Sequence, residues 1–222
     1  MTVRTIQHHL TDSLLMAYSS GNLPEALSLA VATHISMCDK CRAALESFDA
    51  VGGALLEDSS QASVEADALS RTLSMIRSGL QATEPQQADQ QPLDKTREIP
   101  APLADYIGDR FEDITWKSIG MGVKQSILET SDDATARLLY IPPGTAVPDH
   151  SHSGTELTLV LQGAFADEDD YFAAGDIEVA DGDVEHAPVA ADGEPCICLA
   201  VTEAPLKFSK FFHKAVQPFL NI

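Results

Sequence analysis

Two textures of hydrophobic patterning divide this chain. Over residues 10–79 apolar positions recur every three or four residues, the period of an amphipathic helix. From residue 100 onward they come as short continuous runs punctuated by Gly, Pro and Asp, the texture of strands and turns. Within the first texture, residues 10–20 set Leu10, Leu14, Leu15 and Tyr18 on one face, with Thr11 or Asp12 as cap and Gly21 as stop. A second helix is expected from Leu23 to about Thr33. Its Pro24 sits near the first turn, where proline is tolerated, and its stripe runs through Leu27, Ala30 and Val31. Residues 42–57 align Leu45, Phe48, Val51, Leu55 and Leu56, but Gly52-Gly53 weakens this third helix by about 1 kcal/mol per glycine and predicts a bend or break. A fourth, residues 64–79, presents Leu69, Leu73, Ile76 and Leu80.

The second texture predicts strands near residues 116–121, 125–128, 136–141, 157–161, 177–179 and 197–201, as in a β-sandwich or β-barrel. The closing FSKFFHKAVQPFL reads as a last strand or helix, with His213 an ordinary surface histidine. Between the textures, residues 81–100 hold five glutamines, three prolines and two large aliphatics, too little to build a core. The expected organisation is an α+β multidomain protein. Residues 1–80 form an all-α four-helix domain, 81–100 a flexible linker and 101–222 a β-barrel domain.

Composition narrows the setting. A chain of 222 residues with 44% apolar content can build two cores. No run of eighteen apolar residues and no secretory h-region is present, so the expectation is a cytoplasmic protein without a membrane role. The net charge of −20 is uneven: residues 1–80 carry −4, 81–100 carry −2 and 101–222 carry −14. No segment offers a positive face for a phosphate backbone, which argues against direct nucleic-acid binding. The acidic surface would instead steer a basic protein partner.

Charge leaves the chemistry open, and the histidines and cysteines supply it. His34, Cys38 and Cys41 are four and three residues apart, so one helical surface or one turn gathers them. His9 ahead of the first helix is the natural fourth ligand and His8 its competitor. Two imidazoles with two thiolates neutralise Zn(II) and form the closed tetrahedral site of structural zinc. A second set, His150, His152 and Glu156, lies just before the apolar run Leu157–Leu161, all of one parity on an extended strand, with His186 available from a neighbouring strand. Three imidazoles and a carboxylate suit Zn or another divalent metal such as Fe, Mn, Ni or Cu. Cys196 and Cys198 share one strand face, either as small buried hydrophobes or as redox candidates.

The stretch from Gly144 through His150, His152 and Glu156 to Gly163 resembles the first cupin motif with every defined position filled. The second motif is matched at Gly175 and His186, while Asp181 replaces its proline, Asp183 its second glycine and Ala190 its asparagine. His9, His34, Cys38 and Cys41 resemble the zinc-binding anti-sigma domain of bacterial regulators. Joined to a cupin, and with the closing AVQPFLNI, they make the whole chain similar to the ChrR-like cupin anti-sigma factors of the singlet-oxygen response. The resemblance implies zinc on His9, His34, Cys38 and Cys41 and a second metal on His150, His152, Glu156 and His186. It further implies an extracytoplasmic-function sigma factor as partner, released when the cupin senses an oxidative signal, and no catalytic residues. The competing expectation is a metal-dependent cupin oxygenase-type enzyme with an N-terminal regulatory module.

Overall fold

Thr11 opens the first helix: its side chain accepts the Leu14 N–H at 3.3 Å, and α1 (Asp12–Ser19) follows. The computed structural model describes residues 5–79, 98–147, 150–151, 154–168, 170–180, 185–186, 188–203 and 207–208, with the backbone alone at 150, 151, 185, 186, 207 and 208. Most of the expected linker and nearly all of the closing segment, including His213, lie outside the described residues.

Three more helices precede Gly79: α2 (Glu25–Met37), α3 (Asp39–Glu57) and α4 (Ala68–Gly79). α2 runs a turn beyond its expected end and carries His34 in that turn. α3 passes through Gly52-Gly53 without a break. A glycine stops a helix by turning left-handed, and neither of these has positive φ. A short fifth helix, α5 (Ala101–Ile107), follows Pro100 and ends at Gly108, which does turn left-handed at φ +85°.

The rest is sheet. β1 (Lys117–Gly120), β2 (Val123–Ile127), β3 (Thr135–Ile141), β5 (Glu156–Gln162), β8 (Ile177–Ala180) and β11 (Cys196–Thr202) form one antiparallel sheet in the order β1-β2-β3-β11-β5-β8. β6 (Ala164–Ala166), β7 (Tyr171–Ala173) and β10 (Val189–Ala190) form a second. β4 (His150–Ser151), β9 (Glu185–His186) and β12 (Lys207–Phe208) form a third. Gly163, the last residue of the first cupin-like motif, turns the chain from β5 to β6 at φ +70°; a Cβ there would stand 2.5 Å from the Pro195 carbonyl oxygen, so only glycine fits.

β11 is buried along its whole length, which is why CICLAVT is a continuous apolar run rather than an alternating one. On one face Leu199 and Val201 join Leu138, Leu157, Leu159 and Ile177 of the sheet with Leu15, Leu27 and Val31 of the helices. On the other, Cys196 and Cys198 join Ile141, Val160, Phe165 and Phe172. The chain accordingly separates into two compact units, Met1–Gly52 with Glu98–Ile222, and Gly53–Arg97. Inside the first, α2 lies against α5, β3, β5 and β11. Leu199 is fully buried where helix and sheet meet, so Leu199→Ala is expected to cost about 2–5 kcal/mol, read as a lowered urea midpoint.

α4 packs little of its apolar surface. Leu69 is 71% exposed, Ile76 51% and Leu73 40%, and they recur at helical spacing along one side.

Candidate metal centre

A single residue, Cys38, separates α2 from α3: it caps the one helix and precedes the first residue of the next. That places the Cys38 sulfur over the α3 N-terminus, where the Cys41 N–H points at it from 3.5 Å. His34, in the last turn of α2, reaches across with Nε2 3.3 Å from the Cys41 sulfur. His9, just ahead of α1, brings Nδ1 to 3.4 Å from the Cys38 sulfur and 3.8 Å from that of Cys41. All four ligand atoms lie within 4.8 Å of one another.

These separations test the fit of a metal. Bond lengths of zinc to nitrogen and sulfur give a tetrahedron with edges of roughly 3.3–3.8 Å. The three His–Cys distances fall in that range, so the four side chains fit a tetrahedral zinc. Two thiolates would cancel the ion's charge, and the helix termini and core around the site would be tied together by it.

The electrostatics agree. Burial, with the neighbouring His9, pushes the His34 imidazole down to about 4, which keeps it in the neutral form a metal needs. His9 is lowered too, by burial and then by Lys40. Burial raises the Cys41 thiol to about 11, so metal binding must expel protons from the sulfurs. Protons and metal therefore compete. Occupancy is expected to fall as pH drops, and the metal-free protein to lose stability as pH falls from about 6.5 towards 4, because the unfolded chain takes up the proton that buried His34 refuses. A thermal-melt series with and without zinc over that range checks both.

His8, the competing histidine, faces elsewhere. Its ring lies 4.3 Å from that of Phe172, and its Nε2 is 3.5 Å from Asp170. Its backbone N–H, with that of Gln7, donates to Oδ1 of Asp176 at 3.1 and 2.7 Å. Asp176 is 1% exposed. Burial opposes its ionisation, but the N–H donors of Ala173, His8 and Gln7 outweigh this and hold the carboxyl below its usual range. Sequence reasoning missed Asp176; the signal was a carboxylate between Gly175 and the buried strand that opens with Ile177.

In the sheet region, His150 of β4 and His186 of β9 are direct cross-strand partners on the backbone. Glu156 opens β5, is 6% exposed, and accepts from the Thr158 hydroxyl at 3.2 Å. His152 lies outside the described residues. Cys196 and Cys198 sit on the same face of β11, on the side of Val160 and Phe165. The Cys198 thiol, fully buried, is raised well above its ordinary value, first by its hydrogen bond with Cys196 and then by burial. Such a thiol is a poor nucleophile.

Comparison with known proteins fits both halves. A model of the ChrR cupin-like domain matches residues 106–205. The anti-sigma-E factor ChrR of Cereibacter sphaeroides is 52% identical over 219 residues, 98% of this chain and 100% of that protein. The crystal structure of Rhodobacter sphaeroides SigE in complex with the anti-sigma ChrR matches with a TM-score of 0.77 at 52% identity, over 89% of this chain and 99% of that one. Helices before a cupin-like sheet region, a cluster of two histidines and two cysteines among those helices, and this identity along almost the entire length together assign the fold: the chain belongs to the ChrR family of cupin-bearing anti-sigma factors.

Proposed function

We propose that the chain sequesters an extracytoplasmic-function sigma factor of the SigE kind and lets it go when the cupin region meets an oxidant, singlet oxygen by likeness to its family. The carrying observation is the match along nearly the whole chain to a protein solved in complex with such a factor. The family consists of regulators, which leaves the oxygenase alternative without a supporting observation. In this reading residues 1–80 are the four-helix domain that binds the sigma factor, 81–100 a tether and 101–222 a closed cupin barrel. Zinc sits on His9, His34, Cys38 and Cys41. A second divalent metal, zinc or another, sits on His150, His152, Glu156 and His186. A sigma factor as partner also implies a cytoplasmic protein, and no helix among the described residues is long and apolar enough to cross a membrane.

The exposed stripe of Leu69, Leu73 and Ile76 on α4 supports the binding role, since an amphipathic helix with an uncovered apolar face is what a partner's groove takes up. The test is direct. Purified chain and sigma factor should co-elute as a complex, and the chain should block sigma-dependent transcription. Leu69→Glu with Ile76→Glu should weaken the complex by about 100-fold or more while leaving the zinc content alone. Failure to form a complex with the wild-type chain would end the reading.

The redox role for Cys196 and Cys198 requires the sheet around β11 to open first, because the intact fold keeps both thiols buried. Cys196→Ser and Cys198→Ser are therefore expected to leave inhibition in the resting state unchanged.

A further inference from the structure

We propose that Asp176, in the turn between β7 and β8, is a positioning residue of the N-terminal metal site: its carboxylate fixes the backbone at Gln7 and His8 and thereby sets His9 as a ligand. The inference rests on reading His9, His34, Cys38 and Cys41 as a zinc site.

His9 is the weak member of its set by position. His34, Cys38 and Cys41 sit on or beside two long helices that hold them in register, whereas His9 precedes α1 on non-helical backbone. Something must hold that backbone, and the sequence near it offers no helix or strand to do so. The structure supplies a remote anchor. Oδ1 of Asp176 accepts the Gln7 N–H at 2.7 Å and the His8 N–H at 3.1 Å, while Oδ2 accepts the Ala173 N–H of its own turn at 2.9 Å. One carboxylate thus ties the residue next to His9 to a rigid turn some 170 positions away in sequence, and burial shields the contact from water.

The same turn touches the segment twice more. Gly175 is left-handed at φ +93°, and a Cβ on it would come within 2.8 Å of the Ile6 side chain, so the segment is seated directly on the turn. The Gly175 backbone also lies beside the ring of His34. Phe172, in β7 just before the turn, packs against His8 with the rings tilted by 44° and so directs that ring away from the cluster. The turn therefore selects between two adjacent histidines: with Gln7 and His8 pinned through their N–H groups, His8 packs on Phe172 and His9 faces the sulfurs. Groups that orient metal ligands in this manner commonly change metal affinity by about 10- to 100-fold when removed.

The experiment uses the full chain. Asp176→Ala should speed zinc transfer to a competing chelator by roughly 10- to 100-fold. Asp176→Asn, whose amide oxygen can still accept from Gln7 and His8, should fall between it and wild type. With Co(II) in the site, Asp176→Ala should alter the ligand-field bands as His9 loosens, while the thiolate charge-transfer band persists because Cys38 and Cys41 remain. Ile141→Ala, in the other core of the sheet region, supplies the control for general destabilisation, and Trp116, the one tryptophan, reports the state of the sheet. Zinc release and Co(II) bands unchanged in both Asp176 variants would overturn the proposal, as would equal acceleration in Ile141→Ala. If Cys38→Ser leaves the thiolate charge-transfer band unchanged, the zinc reading fails and this proposal with it; if Cys38→Ser weakens or removes the band and Asp176→Ala changes nothing, the positioning role alone fails.

Discussion

Cys38→Ala or Cys41→Ala is expected to empty the N-terminal metal site, melt the helices around it and free the sigma factor. The size of the effect follows from the comparison of two energies. A structural zinc contributes about 10–16 kcal/mol of apparent binding energy. A whole domain is stable by only about 5–15 kcal/mol. Removing one thiolate leaves an uncompensated charge among side chains that are 2–3% exposed, so the remaining three ligands cannot hold the ion with comparable strength. The measurements are metal content, the helical circular-dichroism signal of the purified variant, and sigma-dependent transcription, which should rise to the level seen with no inhibitor. A Cys38→Ala, Cys41→Ala double variant that keeps its helices and still inhibits would show that the site does not hold the fold.

Glu156→Ala is expected to do the opposite: inhibition stays, and the response to oxidant disappears. Glu156 starts β5 and pairs on the backbone with Ala180 of β8, while His150 and His186 are backbone partners across β4 and β9. On the proposed reading, a metal bound by these residues would tie the ends of several strands, and its loss or rearrangement would be a change of bound state large enough to be transmitted. Without the carboxylate that device has nothing to lose. A reporter strain illuminated with a photosensitiser should therefore stay at its uninduced level in Glu156→Ala and in His150→Ala. Normal induction in Glu156→Ala would take the metal out of the signalling path.

How far these elements could be read from the chain depended on their length and surroundings. The six long strands and the helices around Leu15, Leu29 and Leu45 were legible because each carries enough apolar positions to fix a period. α5 was not: seven residues that follow Pro100, contain Pro102 and stop at Gly108 hold too few turns to show one. β6, β7 and β10 are two or three residues each and offer no alternation. α2 held a signal that its stripe of Leu27, Ala30 and Val31 understates. Ala26, Leu29, Thr33 and His34 are buried as well, so the helix is apolar on nearly all sides, the pattern of one packed both by helices and by a sheet. The metal cluster was legible in its Cys and His spacing, which is a local property. The choice between His8 and His9 was not, because it is made by Phe172 and Asp176, residues that adjoin them only after folding.

The seclusion of all four cysteines makes the folded chain its own assay. A thiol-alkylating reagent added to intact protein meets Cys38 and Cys41 buried at the helical site and Cys196 and Cys198 inside the sheet. The number of tags counted by mass then has discrete meanings: none for a loaded, closed molecule, two once a chelator has opened the helical site, four when β11 is laid bare. Tagging under illumination would time those two events separately and say which comes first.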